Sequence, residues 1–154
     1  MIYLLLACQN DPKESGNTLP PLDLTELLDD QTARAGTVAD PQALFAGASA
    51  EGQVGDIKLY NNKVQFIIQA DRASAYYIGH GGQIIDADII RPIGQTGRDL
   101  IDDWMPMVGL GRIIAPETVE VFDDGRNGGP AVVRTVGRCV PFSLLEGALE
   151  NESF

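Results

Sequence analysis

Between Gly55 and Gln69 the chain alternates twice, and that alternation constrains the fold more than any other feature. Ile57 and Leu59 alternate with Lys58 and Tyr60, and Val64, Phe66 and Ile68 alternate with Lys63, Gln65 and Gln69. A period of two sends successive side chains to opposite faces of a strand. Asn61-Asn62 separates the runs, and asparagine tolerates the positive φ that a two-residue turn demands. The segment therefore predicts a β-hairpin.

Further strands are expected at Ala75–Ile78, Gln83–Ile90, Met105–Val108, Gly111–Ile114, Thr118–Phe122, Ala131–Val136 and Val140–Leu145. The breaks between them carry Gly and Pro, and no long amphipathic helix intervenes. That pattern predicts a mainly β fold, an antiparallel β-sandwich, over residues 36–154. Short helices are expected at Pro41–Phe45 and within 22–35, where Thr25 would cap the latter. Phe66-Ile67-Ile68 and Ile84-Ile85 are apolar on both faces. A sheet of that kind needs cover on each side, as the central layer of a larger sandwich would have. On this reading the β-rich domain is part of a longer fold.

The 154 residues include 22 acidic and 11 basic side chains, a formal net charge of −11. Such a surface repels phosphate backbones, and no Lys/Arg cluster offsets it, so nucleic acid is an unsuitable partner. Anionic membrane surfaces repel it too, so membrane attachment requires a covalent or inserted anchor. Two cysteines, Cys8 and Cys139, rule out a disulfide scaffold.

One of them suggests such an anchor. Leu5-Leu6-Ala7-Cys8 resembles the lipobox of bacterial lipoproteins, in which cleavage precedes a cysteine that is then acylated. Residues 1–8 read as a truncated lipoprotein signal, since no Lys or Arg precedes Cys8 and the apolar stretch is short. The other reading is an apolar N-terminus that forms a strand, with Cys8 a buried thiol. Residues 9–35 read as a tether, polar and Pro/Gly/Ser-containing at its start. The resemblance implies a membrane partner through the Cys8 lipid, and Gln9 after the cysteine implies outer-membrane sorting.

The segments Gly55–Gln69, Gly81–Asp88 and Val119–Gly125 resemble the N-terminal β-domain of large surface lipoproteins of the myxobacterial type. Some of those carry PHP-type metallohydrolase or carboxypeptidase-regulatory-like domains. The run through Gly81-Gly82 and Ile84-Ile85-Asp86 to Pro130-Ala131-Val132-Val133-Arg134 is also similar to mutarotase-like β-supersandwich domains. These resemblances imply a binding or structural module toward glycans or a sister domain. The rival is a fragment of a carbohydrate-active or metal-dependent hydrolase.

Candidate chemistry is sparse. His80, in a glycine-rich turn, is a candidate general base or ligand, or an exposed loop histidine. Asp86 and Asp88 share a strand face and are candidate catalytic carboxylates, or, with Asp99, Asp102 and Asp103, an oxygen-rich calcium site; ion pairs with Arg91, Arg98 or Arg112 are the alternative. Asp123 and Asn127, spaced in a Gly-rich loop, are candidate calcium ligands, with a hairpin turn as the alternative; Ca2+ is the one cofactor suggested. Tyr76, Tyr77 and Trp104 are candidates for a sugar-stacking platform, or for rim packing. No P-loop, dinucleotide fingerprint or G-x-S-x-G motif occurs.

Overall fold

A computed structural model describes residues 2–7, 20–74, 77–92, 94–109 and 111–142. The fold is mainly β and sandwich-like. Its strands are β1 (Ile2–Ala7), β2 (Ala33–Thr37), β3 (Ile57–Asn61), β4 (Val64–Ile68), β5 (Ile84–Ile89), β6 (Arg112–Asp124) and β7 (Ala131–Pro141). β2-β3-β4-β5 form a four-stranded antiparallel sheet. β1-β7-β6 form a second sheet, with β6 and β7 antiparallel and β1 parallel to β7.

The hairpin stands where the alternation places it, with Leu59 opposite Phe66. Its turn works differently from expectation. Neither Asn61 nor Asn62 has positive φ. Instead the Asn61 side-chain oxygen accepts hydrogen bonds from the Lys63 and Val64 amides at 2.7 and 2.9 Å, so the turn is held by a side chain.

Both faces of the four-stranded sheet are apolar because both are covered, and only one by strands. On the first face Ala33, Ala35, Ile57, Leu59 and Ile68 meet Ala131 and Val133 of β7, joined by Val119 and Val121 of β6. On the second, Tyr60, Ile67 and Ile85 meet Leu24, Val38 and Ala43, with Leu22, Leu28, Leu44 and Phe45 around them. The two-faced pattern thus reflects cover by the chain's own loops, where the sequence suggested a further sheet.

That cover relocates the start of the folded unit. Residues 20–35, assigned from sequence to the tether, hold the buried Leu24 and the first strand of the four-stranded sheet. No helix forms there: Thr25 donates its amide and hydroxyl to Asp23, making a turn that sends Leu24 inward. The expected helix at Pro41 is one 3-10 turn, Pro41–Ala43, begun by Asp40. Strands expected at 111–114 and 118–122 are one strand, β6, whose register shifts between Pro116 and Thr118. A shift absorbs a proline that cannot donate to the ladder. Met105–Val108 is loop, joined to β6 by a single bridge from Val108 to Arg112. Of Ala75–Ile78, the described Tyr77 and Ile78 lie in a bend. The start of the last expected strand, Val140 and Pro141, ends β7, and residues 143–145 lie outside the described ones.

Candidate functional site

The second face of the four-stranded sheet holds a cleft of about 370 Å³, lined on its floor by Lys58, Tyr60 and Gln65 and on its walls by Leu24, Phe45 and Ile90. The floor residues come from β3 and β4, at the positions that alternate with the core residues Leu59 and Phe66. Lys58 is 6 % exposed, and its Nζ donates to the carbonyls of Leu24 (3.0 Å) and Ala43 (2.8 Å). It also lies 4.8 Å from the centre of the Tyr60 ring. None of the ion pairs among the described residues includes Lys58. Burial therefore pushes its ammonium down to about 8, and burial likewise pushes the Tyr60 phenol up to about 12. The Gln65 amide, on a residue 8 % exposed, makes no hydrogen bond with any described residue. At the rim Arg91 grips both Asp88 oxygens, at 2.9 and 2.6 Å.

Lys58 ties two cover loops to β3, and this gives a pH signature. The folded state releases the proton near pH 8, whereas the unfolded chain holds it to the ordinary lysine range. Between those values the unfolded chain binds more protons, so stability rises with pH. Relative to Lys58→Met, the unaltered chain is expected to gain about 1–2 kcal/mol between pH 7.5 and 9.5. Urea midpoints at the two pH values measure this; a constant difference between the two proteins contradicts it.

Beside the cleft lies a set of buried carboxylates. Asp56 accepts the Gln53 amide on one oxygen (2.9 Å) and the Ala70 amide on the other (2.9 Å), and pairs with Arg72 at 2.9 Å. Asp86 accepts the amides of Glu51 and Gly52, both at 2.8 Å. Its burial outweighs those bonds and pushes it up to about 6, helped by the charges of Asp99 and Asp56. Asp99 accepts the Ala87 amide at 2.7 Å on one oxygen, while the other is buried without a partner. Asp56 and Asp86 thereby position residues 51–53, each accepting main-chain amides of that loop.

The sequence candidates are dispersed over the molecule. His80 is half-buried in the turn after Ile78, with Nδ1 3.1 Å from its neighbour's carbonyl, Gly81 O, and Nε2 buried without a partner. Asp86 anchors a loop. Asp88 is committed to Arg91 and to the Arg98 amide, so its carboxyl lies below the usual range, chiefly through the Arg91 hydrogen bond. No hydrogen bond joins any two of these three. Asp123 caps its own turn by accepting the Gly125 amide at 2.9 Å, Asp124 holds Arg126, and Asn127 is exposed. The loop therefore works as a hairpin turn between β6 and β7. No group of three or more His, Cys, Asp or Glu side chains suited to a metal occurs among the described residues. Tyr77 and Trp104 are exposed, at 69 % and 53 %. Asp103, which precedes Trp104, accepts the Ile78 amide at 3.3 Å and so brings the two loops together. Tyr76 and Cys8 lie outside the described residues. Cys139 is half-buried in β7.

Lys58 and Gln65 escaped the sequence reading because strict alternation assigns them to solvent. The available signal was Ile67 and Ile85, whose apolar side chains imply cover on that same face. No protein-family model matches the chain, and neither a curated protein nor a solved structure does.

Proposed function

We propose that this chain is a cell-envelope lipoprotein, held at the outer membrane by an acylated Cys8, whose two-sheet domain is a binding module. The observation that carries the binding half is the cleft: the Gln65 amide faces it with no hydrogen bond to the described residues, while its walls alternate apolar side chains (Leu24, Phe45, Ile90) with polar ones (Thr25, Gln42, Gln95). Such a mixed lining suits a ligand with apolar patches between hydroxyl or amide groups, as a sugar ring has. A hydrolase reading needs an acid and a base in reach of one another. His80, Asp86 and Asp88 are each held by different partners. The anchor half rests on Leu5-Leu6-Ala7-Cys8 and on Gln9-Asn10-Asp11-Pro12 after it.

Metabolic labelling with radioactive palmitate, with the protein expressed from its native gene in its own host, tests the anchor. The chain is expected to take up label and enter the detergent phase of a phase partition, and Cys8→Ser is expected to abolish both. An unlabelled chain that stays in the aqueous phase overturns the reading.

A further inference from the structure

Of the strands that border the two sheets, three carry their own protection and β7, beneath β1, does not. An edge strand offers unpaired amides and carbonyls to any extended chain, and proteins blunt it with charge, proline, bulges or brevity. β6 carries Pro116, Glu117 and Glu120 and two register shifts. β5 carries Asp86 and Asp88 and a register shift against β4. β2 is five residues long and includes Gly36.

β7 contains no proline, lysine or acidic residue over Ala131–Val140 (AVVRTVGRCV), and its one glycine, Gly137, lies beyond residues 131–136. Its two arginines are turned to β6. Arg134 pairs with Glu120 and lies 4.5 Å from the centre of the Phe122 ring, and Arg138 pairs with Glu117. The unguarded edge is the one that β1 covers, in parallel, from Ile2 opposite Ala131 to Ala7 opposite Val136.

We propose that the β7 edge at residues 131–136 is a strand-docking site for an extended apolar segment of a partner protein. This rests on the lipoprotein reading. Cleavage between Ala7 and Cys8 removes the whole of β1 and leaves the β7 ladder groups open on that side. β1 (IYLLLA) is then the intramolecular stand-in, and its sequence and direction define the occupant: a run of apolar residues entering parallel to β7. Main-chain hydrogen bonds supply the attraction, and alternate side chains supply the selectivity.

The test uses the full chain with Leu4→Pro, which breaks the middle of β1, and a fluorescent peptide of residues 2–7 extended by two lysines for solubility. Saturable binding to the variant is expected. No binding to the unaltered chain is expected, since tethered β1 competes at an effective concentration on the order of mM. Amide exchange on β6 and β7 checks that the variant keeps its fold. Should it not, Leu4→Gly/Leu6→Gly loosens β1 without a proline. A folded variant that ignores the peptide overturns the docking site, and an acylated Cys8 in the same cells would leave the lipoprotein reading standing. Peptide capture together with a native chain that retains Met1 and an unmodified Cys8 overturns both, because β1 then fills the edge permanently.

Discussion

Replacing Asp56 with alanine is expected to lower the unfolding free energy by about 3–4 kcal/mol, more than any other single carboxylate change among the described residues. The residue is 1 % exposed, and its two oxygens serve four donors: the amides of Gln53 and Ala70 and two nitrogens of Arg72. Truncation leaves two part-buried amides without their acceptor and removes the counter-charge of a guanidinium that is partly exposed. That exposure keeps the estimate at the lower end for a broken buried pair. Asp56→Asn retains one acceptor oxygen and is expected to recover part of the loss. Urea unfolding of the three proteins gives the comparison, with equal slopes required for a clean reading. A loss of less than about 1 kcal/mol for the alanine variant, the level of an exposed pair, would contradict the role assigned to Asp56.

Gly125→Ala is the second large effect. Gly125 has φ +78, and a Cβ there would stand 2.3 Å from the Ala33 carbonyl oxygen. Its own carbonyl accepts the Arg34 guanidinium at 2.7 Å, so this turn is where the β6–β7 hairpin meets β2. A methyl group must push the sheets apart as well as strain the backbone, and a loss of about 2–4 kcal/mol is expected. Gly128 provides the internal control. It has nearly the same φ, +76, with nothing within 4 Å of an added Cβ. Gly128→Ala should therefore show the backbone cost alone, about 1 kcal/mol. Thermal or urea unfolding of both variants separates the clash from the strain. Equal losses would mean that the contact with Ala33 does not hold the sheets together.

The two sheets were legible in the sequence wherever a strand has one wet face or a clear turn. Ile57–Ile68 is the best case, because alternation and two asparagines act together. β6 was read as two strands because Pro116 signals a break, and the sequence does not reveal that a register shift on an edge can absorb it. β2 was missed altogether. Ala33-Arg34-Ala35-Gly36-Thr37 has little β propensity, and its place in the sheet comes from pairing with β3 and from the fit of its small residues under β7. The cleft was illegible for a related reason: its roof is irregular chain, residues 22–28 and 42–46, whose path follows from where Leu24, Ala43 and Phe45 are buried. His80, Asp86 and Asp88 were legible as chemically capable side chains. Whether they converge depends on loops with no periodicity, and the folded loops give each a separate structural partner.

The anchor and the docking edge share one premise, that residues 1–7 leave the chain and Cys8 is acylated. Mass spectrometry of the native N-terminal peptide, from membranes of the source bacterium expressing its own gene, tests it most directly. The expected result is a peptide that begins at Cys8 and carries acyl chains, with residues 1–7 absent. A peptide that begins at Met1 or Ile2 and contains a free Cys8 thiol would contradict it and leave β1 as a permanent strand of the sheet.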